Sequence, residues 1–177
     1  RPNTRMGVYA LLEDKFESVL VKKKKAVLSK ERKIKELENK IAEKNLGKES
    51  IEKEKSMINK EFELEFNTED LALLEILERK KTVKVHVHKE DDALYLIDLV
   101  KKYNIKVTAD HVCDVFHTEV FDDLADAGID IVYGPLGSFD YKVELKNARY
   151  ANVKKLMDSK AFFGLMTDHP VILTSNL

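Results

Sequence analysis

The sequence predicts an α/β protein in which a long helical hairpin precedes about four βα units. Residues 6–79 are rich in lysine and glutamate and contain no proline, a composition that favours long helices. From residue 82 onward, short apolar runs alternate with segments of helical periodicity, as in βαβ units of a parallel sheet. The repeat of roughly 20 to 30 residues suits part of a (β/α)₈ (TIM) barrel, although a doubly wound sheet would give the same periodicity.

The N-terminal part is expected to form an antiparallel arm. Apolar residues recur at three- and four-residue steps over residues 8–27, which gives one helix an apolar face. The run Asn45-Leu46-Gly47 is a helix stop, and Ser50 can cap the returning helix. We expect a single partial barrel domain over residues 1–177, with residues 22–66 as an inserted helical arm.

Three further helices and four strands are predicted after a short helix that begins at Asn67 or Thr68. The predicted strands cover residues 83–88, 105–109, 129–133 and 162–166. The predicted helices between them cover residues 91–103, 116–127 and 152–159. A complete barrel of this kind needs about 250 residues. Together with a start at Arg1 rather than methionine, this predicts about four C-terminal units of a longer protein.

Charge and composition argue against several classes of partner. The 31 basic residues nearly balance the 32 acidic ones, so the net charge of −1 provides no field for attracting nucleic acid or an anionic membrane. The single cysteine fits a reducing compartment, and no apolar run approaches the roughly 20 residues of a membrane span. We therefore expect a cytoplasmic protein with a small-molecule substrate and no nucleic-acid or membrane partner.

Polar residues cluster where the predicted strands end. These ends are His86-Val87-His88, Asp110-His111, Tyr133-Gly134-Pro135 and Thr167-Asp168-His169. In a parallel βα architecture, the carboxyl ends of the strands line the active site. Neutral imidazoles suit divalent metals, and a carboxylate such as Asp168 can bind a metal while accepting a proton from water. Each pair alone is explained by a hydrogen-bonded strand end, but together they indicate a metal site for hydrolysis.

Two residues near the second strand carry weaker functional signals. His117 lies at the start of the following helix, so its first interpretation is a capping or loop residue and its second is a substrate contact. Cys113 has no cationic or helix N-terminal surroundings in the sequence, so we expect an inert thiol rather than a nucleophile.

Five motifs follow one another in a characteristic order. They are Lys84-Val-His-Val-His-Lys-Glu-Asp-Asp, Val107-Thr-Ala-Asp-His, Asp126-Ala-Gly-Ile-Asp-Ile-Val-Tyr-Gly-Pro-Leu, Lys142-Val-Glu-Leu and Met166-Thr-Asp-His-Pro-Val. As a set, with Arg1-Pro-Asn-Thr-Arg-Met-Gly-Val at the start, they resemble the imidazolonepropionase-like branch of the amidohydrolase superfamily. The resemblance covers the C-terminal half of that barrel, and only the arm falls outside it.

The resemblance implies a metal-dependent hydrolase that cleaves carbon–nitrogen bonds, in amides or cyclic amides, with metal-activated water. The implied metal ligands are His86, His111 and Asp168. His111 and Asp168 are also the implied catalytic residues, with Asp168 carrying the proton to the leaving nitrogen. The implied substrate contacts are His88, His117, His169 and Tyr133. Zinc is the favoured divalent metal, with iron, nickel or manganese as alternatives.

Two of the family's metal-site features are not found in the sequence, namely the strand-one His-x-His pair and the strand-four lysine or glutamate. We therefore expect the chain alone to have little or no hydrolase activity. An open half-barrel would expose strand edges, so we expect a homo-oligomer or association with a missing N-terminal half. The alternative hypothesis is a non-catalytic scaffold whose charged arm forms the contact. A doubly wound phosphate-binding domain is disfavoured because no glycine-rich loop follows the first strand.

Overall fold

The structure, a computed structural model, describes residues 4–44, 47–137 and 142–169. It divides into two compact units, Arg1–Glu75 and Ile76–Leu177. The first unit is helical, and the second carries a parallel sheet. No helix in the described ranges is long and apolar enough to cross a membrane.

The first unit contains two long helices and most of a third, namely α1 (Arg5–Lys44), α2 (Lys48–Leu64) and α3 (Thr68–Leu77). Residues progressively earlier in α1 contact residues progressively later in the segment that follows it. Lys33 Nζ lies 2.6 Å from Glu61 Oε2, and Lys30 Nζ lies 4.7 Å from the centre of the Phe62 ring. Further towards the start of α1, Lys22 pairs with Asp70 of α3. The helices α1 and α2 are therefore antiparallel, as the sequence predicts.

The ends of the helices differ in how well the sequence predicts them. Asn67 and Asp70 form a reciprocal cap at the start of α3, with Asp70 N donating to Asn67 Oδ1 at 2.8 Å and Asn67 N donating to Asp70 Oδ2 at 3.0 Å. The predicted Ser50 cap of α2 is wrong, because Gly47 occupies the cap position with extended backbone and no side-chain hydrogen bond. The predicted stop at residues 45–46 lies outside the described residues.

The second unit is a four-stranded sheet with helices between the strands. Its strands are β1 (Thr82–Val87), β2 (Lys106–His111), β3 (Asp130–Tyr133) and β4 (Phe163–Leu165). Its helices are α4 (Glu90–Tyr103), α5 (Thr118–Asp126) and α6 (Tyr150–Met157), with a 3₁₀ turn at Val143–Leu145. All neighbouring strands pair in parallel, in the order β1-β2-β3-β4. The predicted α/β class is therefore confirmed, and the predicted strands and helices appear with their ends shifted by a few residues.

Strand order and residue alternation give the two faces of the sheet different characters. Sequential parallel strands with right-handed crossovers place their connecting helices on one side. The row that includes Val107, Ala109 and Ile131 is buried, as expected for the helix-covered side. The opposite row exposes Lys84, whose Nζ lies 3.3 Å from Asp110 Oδ2. A doubly wound sheet requires a reversal of strand order, and these four strands show none.

The different burial of two phenylalanines in the second unit predicts that their substitutions have different effects on stability. Phe121 of α5 is fully buried, whereas the Phe162 side chain is 76% exposed. Phe121→Ala should lower the free energy of unfolding by about 3 to 5 kcal/mol, because it removes buried apolar area and leaves a cavity. Phe162→Ala should change it by less than about 0.5 kcal/mol. Urea denaturation followed by circular dichroism measures both, and equal losses would contradict the described packing.

Candidate metal centre

Three histidines from two adjacent strands converge at the carboxyl end of the sheet. His86 lies in β1, His88 follows that strand, and His111 ends β2. Their candidate ligand atoms all lie within 4.8 Å of one another. The ring centroids are 4.2 Å apart for His86 and His111, 4.6 Å for His88 and His111, and 4.7 Å for His86 and His88. The three histidines could hold one metal ion.

An unusual backbone bend accounts for the direction of His111. By strict alternation, its side chain would face the same side as Val107 and Ala109. His111 and Val112 instead have φ values of 79° and 48°, in a region that residues other than glycine rarely adopt. Two backbone hydrogen bonds hold the bend to the end of β1, from Val112 N to Val87 O at 2.8 Å and from Asp114 N to His88 O at 3.1 Å. This bend brings the His111 ring beside His86.

A hydrogen bond to the next strand end orients the His111 ring. Nδ1 of His111 lies 2.7 Å from the carbonyl oxygen of Gly134, which can only accept, so Nδ1 carries the proton. With Nδ1 as the donor, Nε2 is the ring nitrogen that is left to bind a metal. A backbone carbonyl behind a histidine is the usual support of a metal-binding imidazole, because it fixes the ring and its tautomer.

His88 is a buried histidine whose hydrogen bonding is incomplete. It is 5% exposed, and its Nδ1 is buried without a hydrogen-bond partner in the part of the chain that is described. Its Nε2 lies 3.5 Å from Nζ of Lys142. A buried polar atom without a partner is costly, and coordination of a cation by Nδ1 would satisfy it. This buried ring nitrogen without a partner is the observation by which the cluster fits a metal.

The protonation of the cluster also suits a metal. Burial is the main cause that lowers the pKa of His88 to about 3, and the neighbouring His111, His86 and Lys142 contribute to the same shift in that order of importance. Burial also lowers the pKa of His86, with His111 and Lys142 as the next causes. Both rings are therefore neutral at neutral pH, which is the form that binds metals.

Asp168 lies close to this cluster but is not one of its three members. It follows β4 with a left-handed backbone (φ 57°) and is partly buried. Its charge raises the pKa of His86, although less than burial lowers it. The structure thus brings together His86 and His111 of the predicted ligand set, and adds His88, which the resemblance assigns to the substrate. The roles of all four residues stay predictions.

The remaining predicted site residues lie in different surroundings. His117 precedes α5 at its cap position, and its Nδ1 is 2.8 Å from Glu90 Oε1. His169 is exposed beyond β4. Tyr133 is 2% exposed in the buried row of β3, and this burial raises the pKa of its hydroxyl. Burial likewise raises the pKa of Cys113 to about 11, so its thiol stays protonated, as expected of an inert cysteine.

Two residues of the site have no role in the sequence-based prediction. Glu90 Oε2 accepts hydrogen bonds from the backbone N–H groups of Phe116 and His117, both at 3.2 Å, and so joins the start of α4 to the loop after β2. Lys142 places its ammonium group beside His88 from 54 residues away. Both residues belong to the quoted motifs, but neither their residue type nor their spacing indicates these contacts.

Comparison with known proteins identifies one similar solved structure. No model of a protein family and no curated protein matches the chain. A crystal structure of an amidohydrolase from Thermotoga maritima MSB8 matches with a TM-score of 0.67 and 26% sequence identity, over 97% of this chain and 37% of that one. The chain thus spans little more than a third of that protein's length. The likeness supports the amidohydrolase superfamily, which the motifs also indicate.

The close packing around Gly134, whose carbonyl orients His111, predicts that Gly134→Ala strongly lowers the stability of the fold. An added Cβ would stand 2.1 Å from the carbonyl oxygen of Met166, at a φ of 132° that only glycine adopts readily. We expect a loss of about 3 kcal/mol or more in unfolding free energy, because the backbone between β3 and the segment after β4 must shift. Gly164→Ala in β4 is the matched control, since a Cβ there meets nothing within 4 Å. Comparable stabilities of the two variants would contradict this account.

The buried neutral His88 predicts that the metal-free protein loses stability in mild acid. Its pKa in the folded state is lowered, so the unfolded chain binds more protons once the pH falls below about 6.5. Stability is therefore full above that pH and falls as the pH decreases, by up to about 1.4 kcal/mol per pH unit. Urea denaturation with a chelator at pH 7.5 and 5.5 measures the loss. His88→Gln should reduce it, and an unchanged pH dependence in that variant would refute the assignment.

Proposed function

We propose that this chain supplies the C-terminal half of the (β/α)₈ barrel of a metal-dependent hydrolase, which cleaves carbon–nitrogen bonds in amides or cyclic amides. The observation that carries the proposal is the cluster of His86, His88 and His111 at the carboxyl end of a parallel sheet. Active sites of (β/α)₈ enzymes form at that end. The similar amidohydrolase structure supports the reaction class, and the ordered motifs support the imidazolonepropionase-like branch.

The proposed barrel needs further strands beside the four described here. Sequential parallel order is the order of a (β/α)₈ barrel, and β1 and β4 are the two outer strands of this sheet. The match to only 37% of the similar amidohydrolase is consistent with a protein that has more strands. We propose that the open face and edges are covered by an N-terminal half of the same barrel or, failing that, by a second copy of this chain.

In the proposed site, His86, His88 and His111 would hold the divalent metal. Imidazole ligands favour zinc, with iron and nickel as alternatives, whereas manganese would require more oxygen ligands. Three protein ligands with one position left for water or substrate is the arrangement of catalytic zinc sites. When bound, such a cation polarises a carbonyl group and lowers the pKa of water. His111 keeps its orientation through the Gly134 carbonyl.

The carboxylate of Asp168 is the proposed carrier of the proton. It is partly buried, and its charge acts on His86, so it lies within electrostatic reach of the cluster. We assign it to accept a proton from the attacking water and to donate that proton to the leaving nitrogen. Cleavage of a C–N bond needs this transfer, because an amide nitrogen leaves readily only when it is protonated.

The residues that the motifs imply as substrate contacts differ in how exposed their side chains are. The side chain of His117 is 56% exposed and His169 is exposed, so both can reach a bound molecule. Tyr133 is buried, and we propose that it supports the β3 end rather than contacts the substrate. His88 moves from the substrate set to the metal set because its ring lies within the histidine cluster.

Metal titration of the dialysed chain tests the proposal. We expect one Co²⁺ or Zn²⁺ per chain, followed by visible absorption for cobalt and by competition with a chromophoric chelator for zinc. His88→Ala and His111→Ala should each lower the affinity at least about tenfold, because removal of a residue that only supports a metal ligand already costs about 10- to 100-fold. His169→Ala is the matched control and should leave it unchanged. Equal affinity of all the variants and the unaltered chain would overturn the proposed site.

Asp168→Asn separates proton transfer from metal binding. In the assembled parent protein we expect this variant to keep its metal but to lose about 10²- to 10⁴-fold in kcat, the typical contribution of a general acid or base. Metal content and kcat of the same preparation are measured together. Loss of the metal in parallel with the activity would instead make Asp168 a ligand.

A further inference from the structure

Lys142 places a positive charge against the histidine cluster. Its Nζ lies 3.5 Å from His88 Nε2 and 3.7 Å from Glu144 Oε2, and its side chain is 39% exposed. An ammonium group has three donors and no acceptor, so His88 Nε2 must be the acceptor in this contact. The proton of the neutral His88 ring then sits on Nδ1.

This contact is incompatible with coordination of a metal by either nitrogen of His88. If Nε2 is the ligand, its lone pair belongs to the metal and cannot accept from Lys142. If Nδ1 is the ligand, the neutral ring carries its proton on Nε2, and two donors would then face each other. A metal at His88 must therefore displace the ammonium group, whichever nitrogen binds it.

Glu144, which already forms a long ion pair with Lys142, could accept the displaced ammonium group more closely. The two residues flank Val143 at the start of the 3₁₀ turn, where their charged groups are already close. Leu145 is 2% exposed, and Asn147 donates from its backbone N and from Nδ2 to the two carboxylate oxygens of buried Asp114. Because the backbone is anchored on this side, the exchange needs only rotation of the Lys142 side chain.

We propose that Lys142 is an internal competitor of the metal. In the metal-free state it holds His88, and metal binding transfers its ammonium group to Glu144. The inference rests on the proposed metal site and adds a residue that sets the affinity of that site. It makes Lys142 a positioning residue that acts through His88.

Four variants of the metal-free, full-length chain test the proposal by Zn²⁺ titration against a chromophoric chelator at fixed pH and salt. Lys142→Met should bind Zn²⁺ about tenfold more tightly, the factor that one modest charged hydrogen bond is worth. Lys155→Met removes an exposed lysine of α6 and is the matched control, expected to stay within about twofold. Glu144→Gln should bind more weakly than the unaltered chain, because the displaced ammonium group loses its acceptor.

The double variant separates the exchange from a general effect of charge. In Lys142→Met/Glu144→Gln the affinity should match that of Lys142→Met to within about threefold, since no ammonium group remains to be displaced. A loss from Glu144→Gln that is equally large in both backgrounds would reduce Glu144 to a long-range charge and overturn the transfer. Circular dichroism confirms folding of each variant, and Lys142→Gln replaces Lys142→Met if the latter fails to fold.

The tautomer of His88 gives a readout that needs no metal. Long-range ¹H–¹⁵N spectra should show its proton on Nδ1 in the metal-free chain, and removal of Lys142 should weaken that preference. If Zn²⁺ binds the unaltered chain and Lys142→Met equally well, the competitor role falls while the proposed site stands. If neither binds, both fall. Binding to Lys142→Met alone would support the competitor role in its strongest form.

Discussion

The hydrogen bond between His111 and the Gly134 carbonyl is the constraint on which the site depends. It joins the end of β2 to the end of β3, fixes one ring nitrogen as a donor and leaves the other available to the cluster. The bond requires the Gly134 carbonyl to approach closely, which in turn requires a residue without a side chain, because the backbone of Met166 fills the space beside it. The backbone arrangement at the ends of β2 and β3 and the orientation of the His111 ring therefore depend on the same contact.

Much of the fold follows from periodicity in the sequence. The strands are short apolar runs bounded by polar residues, and α4 is bounded by three acidic residues at its start and two lysines with Asn104 at its end, as the helix dipole favours. The predicted ends of the elements differ from the observed ends by only a few residues, because the elements have such local signals. The cap of α2 was mispredicted because Gly47, which offers no side chain, begins that helix where Ser50 looked more suitable.

The composition of the histidine cluster is harder to read from sequence. Alternation along β1 predicts that His86 and His88 share a side, but the direction of His111 depends on a left-handed bend at His111 and Val112, for which a β-branched valine is an improbable residue. Only tertiary contacts can hold such a bend. The approach of Lys142 depends on the path of a distant segment, so no local pattern reveals it. The sequence therefore predicts where the chemistry lies better than which atoms meet there.

The charged row on one face of the sheet restricts which kinds of surface could pack against it. Lys84 and Asp110 already pair there, and Asp130 is exposed in the same row. An apolar surface packed against these groups would remove their hydration without replacing the lost hydrogen bonds, at a cost of several kcal/mol for each ion. Packing of a purely apolar surface against this row is therefore penalised, whereas a surface with matching polar groups avoids that cost.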